Sequence, residues 1–252
     1  MASCIGAQLY TVREFTQTPK DIAETLRKVR EIGYEAVQVS GFGPIDKAEL
    51  KRILDGEGLT CAATHIGFNE MRDEFERVVD EHKTLDCRYP AIGGMPGDYR
   101  NEEGYHRFAK DASEVAARFK EHGMTFGYHN HSWELQKCGE QVILGLLMAE
   151  CSEGVTFEID TYWIQHGGGC PATWIQRAAG RIPLLHLKDM AIQDGEQIMA
   201  EVGEGNLDWD GILAAAADAG TEWYLVEQDT CQRDPFESLG ISLRNLKAMG
   251  LE

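Results

Sequence analysis

Short apolar runs alternate with amphipathic stretches along the whole chain, which is the pattern of βα units feeding a parallel sheet. Residues 5–10 read as a first strand. A helix follows over 21–32, with apolar Ile22, Leu26, Val29 and Ile32 near a 3.6-residue period, and Gly33 stands where a helix C-cap glycine belongs. The same alternation predicts strands at 36–39, 59–66, 89–94, 124–129, 155–160, 184–187 and 223–227. Helices are predicted between them at 48–54, 75–85, 103–122, 141–151, about 173–179 and 209–219, with a last one at 238–249. Eight such units without a linker predict an α/β chain folded as a single (β/α)8 TIM barrel over residues 1–252, with its active site at the C-terminal ends of the strands. The longest βα loops are expected after strands four, six and seven, including Gly167-Gly-Gly169 and 190–207.

That frame gives meaning to the positions of the His and acidic residues. Four of the strands place a potential metal ligand at or near the C-terminal end: His129 and His131, Glu158 and Asp160, His186, and Glu227. Alternate strand residues point inward, so His129 and His131 share a parity, as do Glu158 and Asp160, and His186 and Lys188. Inward polar groups are costly in a packed barrel unless they are paired or bound to metal. Any one of these residues alone is as readily a satisfied structural His, a turn-capping Asp or a salt-bridged Glu. Four independent strands with the same feature at the same end point to one divalent cation. Two His nitrogens with two carboxylates suit Mn²⁺, Co²⁺ or Zn²⁺ better than Ca²⁺, with Mg²⁺ ranked below them.

Composition narrows the partners. Lys plus Arg is 24 against 42 Asp plus Glu, a formal charge of −18. Such a chain repels phosphodiester backbones, so no nucleic-acid partner is expected. No stretch approaches the roughly 20 apolar residues of a membrane span, so no membrane partner is expected either. Seven cysteines, with no Cys-x-x-Cys, argue against a disulfide framework and against a Cys-type zinc site. They fit reduced thiols and a cytoplasmic location. A homo-oligomer is left open.

Several motifs carry a family resemblance. Ile5-Gly-Ala-Gln-Leu-Tyr-Thr-Val12, Tyr128-His-Asn-His-Ser-Trp-Glu134, Glu158-Ile-Asp-Thr-Tyr-Trp163, His186-Leu-Lys-Asp189, Val202-Gly-Glu-Gly-Asn-Leu-Asp-Trp209 and Val226-Glu227 follow one another in order. Together they resemble the xylose isomerase-like TIM barrels of the sugar phosphate isomerase/epimerase superfamily. That group includes ketose 3-epimerases, inosose dehydratases and, more distantly, endonuclease IV. The resemblance implies an acidic metal ligand on strands five, six and eight and a His on strand seven. Asp160, Glu227 and His186 match. His129 stands where epimerases have Glu, which departs from the two-glutamate proton shuttle of those enzymes. His129 is then the fourth metal residue, with His131 or Glu158 as the alternative ligand or second acid/base.

The function this implies is a metal-dependent isomerase or epimerase acting on a keto-sugar or related polyol. Glu227 would remove the proton next to the carbonyl, through a metal-bound enediolate. The alternative is a keto-sugar or inosose lyase or dehydratase using the same site. Catalytic candidates are Glu227, His131, Glu158 and Lys188, the last for a substrate oxyanion or for balancing the carboxylates. Substrate-binding candidates are His65, Glu134, Trp163, His166 and Gln8, with Gln38 beside Gln8 as a further donor to sugar hydroxyls.

Overall fold

The structure, a computed structural model, describes residues 4–251. Its core strands are β1 (Ile5–Gln8), β2 (Ala36–Val39), β3 (Thr60–His65), β4 (Pro90–Ile92), β5 (Phe126–His129), β6 (Val155–Asp160), β7 (Leu184–Leu187) and β8 (Trp223–Val226). They close into one barrel in the order β1-β8-β7-β6-β5-β4-β3-β2. Every adjacent pair is parallel, so all C-terminal ends share one face. The predicted (β/α)8 barrel is the observed fold.

Helices cover the outside of the barrel. The first, Pro19–Ile32, starts with Thr18 accepting from the Asp21 N–H and ends at left-handed Gly33 (φ 115°). Its Ile22, Leu26 and Val29 are buried, as their period predicts. Inside, the strands carry two layers. The lower layer is apolar and mostly small, with Ala36, Ala63, Ala91, Leu184 and Leu225 packed together. The upper layer, two residues further along each strand, is polar: Gln8, Gln38, His129, Glu158, His186 and Glu227 are all buried. Among the described residues no helix is long and apolar enough to cross a membrane, and all seven cysteines are free thiols.

The connections hold more structure than their composition announces. β1 ends at Gln8 rather than Tyr10, because the Gln8 side chain accepts the Tyr10 N–H and turns the chain into the 3-10 helix Leu9–Phe15. After β6 the glycine loop is preceded by a helix, Thr161–His166, capped by Asp160 itself. The stretch expected as loop 190–207 contains an antiparallel hairpin, Asp189–Gln193 with Glu196–Ala200. The connection after β5 also has a 3-10 turn, Trp133–Leu135, and a small ladder of Lys137–Cys138 with Gln141–Val142.

Candidate active site

The ends of β5 to β8 bring His129, Asp160, His186 and Glu227 to one point. One ligand atom from each lies within 4.8 Å of the others, and all four residues are buried. Asp160 is held by its own helix: Oδ1 accepts the Trp163 N–H at 2.9 Å, which leaves Oδ2 facing the cluster. Asn130 steadies it further, with Oδ1 accepting the Asp160 N–H at 3.1 Å. Asp160 Oδ2 is 3.1 Å from His129 Nε2 and 3.6 Å from His186 Nδ1. His186 Nδ1 is 2.9 Å from Glu227 Oε2. His129 Nδ1 faces the Gly93 carbonyl at 3.4 Å, an acceptor that would hold the ring proton and leave the Nε2 lone pair to an ion.

These atoms fit a divalent cation. His186 Nδ1 and Glu227 Oε2 are buried without a hydrogen-bond partner, and a buried lone pair beside a carboxylate is costly unless a positive charge lies between them. A tetrahedral shell with ligands about 2.0–2.1 Å from zinc has edges of about 3.3–3.4 Å, and the three spacings of 2.9, 3.1 and 3.6 Å bracket that value. Without an ion, a proton can take the same place. Burial opposes charge on His186, but Glu158 and Glu227 outweigh it and raise its pKa well above the usual range.

Lys188 is fully buried beside the cluster. Its Nζ is 2.6 Å from Glu227 Oε2, 3.0 Å from Asp160 Oδ2 and 2.7 Å from Asp229 Oδ2. The contact with Glu227 is an ion pair whose angles are not those of a hydrogen bond. Burial works against ionisation of Asp160 and Glu227, yet Lys188 and the neighbouring imidazoles hold both well below the usual carboxylate range.

The remaining candidates separate into two groups. His131, Trp163 and His166 form the rim above the cluster. The His131 ring lies 5.0 Å from His129 and 5.3 Å from Trp163, and the Trp163 ring lies 5.4 Å from His166. His131 Nδ1 and Trp163 Nε1 are buried without partners. Burial, reinforced by His129, lowers the His131 pKa to about 3, so its imidazole is neutral. His131 stands outside the four-residue cluster, which takes His129 instead. His166 is exposed.

The second group is spent within the protein. Both donors of Gln8 Nε2 are used, on Gln38 Oε1 at 3.0 Å and His65 Nδ1 at 3.3 Å. Gln38 Nε2 donates one hydrogen to Glu158 Oε1 at 2.8 Å, so Gln8 keeps no donor for a sugar hydroxyl in this arrangement and Gln38 has one of its two committed. Glu158 is fully buried, and His65 Nε2 meets its other oxygen at 2.6 Å. Glu134 is also fully buried; it accepts from the Tyr128 hydroxyl at 2.7 Å and from the His131 N–H at 2.9 Å. It therefore shapes the turn that carries His131 instead of meeting solvent. A cavity of about 760 Å³ is lined by His65, Ile66, Gly93, Phe42 and Ile45 among others, and by none of the four cluster residues.

Three residues of this region were missed by sequence reasoning. Asp229 carries the strand-eight parity of Glu227 one step further, and that parity could have found it. Asn130 and Asp189 carry no such signal. The Asp189 carboxylate gathers the N–H groups of Met190, Gly203, Gly205 and Leu207 and the Trp209 indole, which pins the segment after β7 to the strand that bears His186 and Lys188.

Comparison with known proteins agrees with this geometry. The model of the xylose isomerase-like TIM barrel family matches residues 26–249. The chain belongs to that family. Among curated proteins it is 26% identical to the rhizopine catabolism protein MocC of Rhizobium meliloti over 268 aligned positions, covering 90% of this chain and 81% of that protein. It is 24% identical to an inosose dehydratase of Clostridium perfringens over 156 positions, 54% of this chain and 52% of that protein. Among solved structures, a sugar phosphate isomerase/epimerase from Parabacteroides distasonis superposes with a TM-score of 0.80 at 24% identity, covering 98% of this chain and 94% of that one. An L-ribulose 3-epimerase superposes at 0.74 with 16% identity, covering 100% and 95%. These superpositions establish a shared fold. Together with the buried cluster, the fold is that of an enzyme of the isomerase/epimerase type.

Proposed function

We propose that this enzyme moves a proton on the carbon next to the carbonyl of a keto-sugar or related polyol, as an isomerase or epimerase. The observation that carries this reading is the convergence of His129, Asp160, His186 and Glu227, with two ligand atoms that lack a hydrogen-bond partner. These four residues would hold a divalent ion such as Mn²⁺, Co²⁺ or Zn²⁺, which when bound polarises a substrate oxygen and acidifies the adjoining C–H. Glu227 takes the proton from the β8 side. Lys188, beside it, keeps that carboxylate ionised and adds positive charge where an enediolate develops negative charge. His131 is neutral with a free Nδ1 and stands on the β5 side, three strands round the barrel from Glu227. It is placed to pass a proton, taken up from solvent at Nδ1, to the opposite face while Glu227 releases the one it removed. Trp163 gives the sugar a flat wall and an unspent indole N–H.

A second reading is dehydration of a keto-sugar or inosose, and one observation favours it. The cluster contains a single glutamate, with His129 completing it. An imidazole ligand cannot shuttle protons, so the proton that Glu227 removes would instead leave as water with the departing hydroxyl, His131 relaying it at Nδ1. A curated relative named for inosose dehydration is consistent with this.

The test is a screen of 2-keto sugars, 3-keto sugars and inososes with Mn²⁺-loaded enzyme in deuterated buffer. Deuterium in recovered sugar or its epimer supports the first reading; an enone absorbing in the ultraviolet supports the second. Glu227→Gln is expected to cut deuterium exchange by about 10²–10⁴-fold. Unchanged exchange in that variant rules Glu227 out as the base.

A further inference from the structure

Around His186 runs a set of hydrogen bonds supplied mainly by the other half of the barrel. Its polarity is fixed at both ends. At one end, Gln8 Oε1 accepts the Tyr10 backbone N–H at 3.0 Å, so the other amide atom is Nε2, the donor to Gln38 Oε1 and His65 Nδ1. At the other end Glu158, as a carboxylate, can only accept. The Gln38 atom 2.8 Å from Glu158 Oε1 is therefore Nε2, and its Oε1 faces His186 Nε2 at 2.7 Å. That nitrogen must carry a proton. Glu158 Oε1 lies 3.2 Å from the same nitrogen and adds a second negative partner. The proton on Nε2 leaves Nδ1 as the atom turned toward Asp160 and Glu227. Rotating the Gln38 amide would set its NH₂ against the N–H groups of Gln8 and His186.

We propose that Gln38 and Glu158 are positioning residues whose joint polarity holds His186 with its proton on Nε2 and its Nδ1 presented to the ion. Gln8 and His65 lock the pair in place, through Gln8 Nε2 on Gln38 and His65 Nε2 on Glu158. The site is thus assembled before any ion arrives, and partners of this kind are worth about 10–100-fold in metal affinity. Glu158 acts through His186 and does not touch substrate. This inference rests on the metal reading above.

The experiment is an equilibrium Mn²⁺ titration of the full chain, following the paramagnetic resonance signal of free Mn²⁺. It compares wild type with Glu158→Gln, Gln38→Glu and the double exchange. Each change keeps side-chain volume and alters only polarity. Glu158→Gln leaves one acceptor oxygen for two donors, Gln38 Nε2 and His65 Nε2, and turns an NH₂ against the other; Gln38→Glu sets two carboxylates together. Each single variant is expected to bind Mn²⁺ about 10–100-fold more weakly. The double exchange restores every donor to an acceptor and is expected to recover most of the loss, which a merely space-filling role would not do. Single variants that bind like wild type overturn the proposal. So does a double exchange no better than the singles. Wild type with no affinity for Mn²⁺ overturns the metal reading itself, an outcome read from wild type alone.

Discussion

The two halves of the barrel mouth carry polar layers of similar depth and opposite character. In the first half, both Gln8 amide hydrogens have protein acceptors, Gln38 Nε2 donates to Glu158, and both His65 nitrogens are engaged. In the second half, His186 Nδ1 and Glu227 Oε2 have no hydrogen-bond partner, and His131 Nδ1 and Trp163 Nε1 at the rim have none. A buried polar atom left unpaired costs about 1–3 kcal/mol. Two of these atoms belong to the four-residue cluster, where a divalent ion would satisfy both. The first half supports; the second half carries the atoms suited to a ligand.

The contrast can be broken at its most reactive point. His131→Gln removes the rim imidazole while leaving the four-residue cluster intact. Turnover is expected to fall by about 10²–10⁴-fold, with Mn²⁺ affinity unchanged in the same titration. A variant that turns over normally removes His131 from the reaction.

A smaller effect is expected from Lys188→Met, which leaves Asp160, Glu227 and Asp229 without their shared cation. Removing one partner of a buried ion pair costs about 3–5 kcal/mol. Denaturant unfolding of the metal-free variant should show a loss of that order, and Mn²⁺ should restore more stability to it than to wild type. A loss independent of added metal would separate Lys188 from the cluster.

The smallest expected effect sharpens the comparison at the rim. Burial raises the Glu134 pKa to about 8, against 4.5 for a free glutamate, despite the hydrogen bonds from Tyr128 and His131 that lower it. The folded protein then holds a proton that the unfolded chain releases, so stability falls as pH rises between those values. The contribution is complete below pH 4.5 and gone above about pH 8. Glu134→Gln cannot ionise, so its stability relative to wild type should rise across that window, as read by urea midpoints at several pH values. A difference that stays flat with pH would contradict the raised pKa.

Much of this molecule was legible in the sequence because strand periodicity is strict. Once Val155 to Asp160 is read as a strand, Glu158 and Asp160 must share a face, and the same logic carries His186 to Lys188. Parity gives direction but not depth. It puts Glu158 and Asp160 on the same side without telling that Asp160 reaches the ligand point while Glu158 stays one layer beneath. Gln8 and Gln38 looked like donors for a sugar for the same reason. Gln8 donates to Gln38 and His65, and Gln38 donates to Glu158, across 30, 57 and 120 residues, and these partners meet only when the barrel closes. The helix after β6 escaped notice because Asp160 is both its cap and a candidate ligand, two roles on two oxygens of one side chain. The hairpin after β7 depends on Asp189 gathering N–H groups from residues up to 20 positions on, which no local pattern announces.

The central claim is that one divalent ion completes His129, Asp160, His186 and Glu227. The most direct measurement is anomalous diffraction from crystals soaked in Mn²⁺ or Zn²⁺, recorded on both sides of the metal's absorption edge. The account requires a single peak in contact with His129 Nε2, His186 Nδ1 and a carboxylate oxygen each from Asp160 and Glu227. A peak held by His65 and Glu158 instead, or no peak among these side chains, would contradict it.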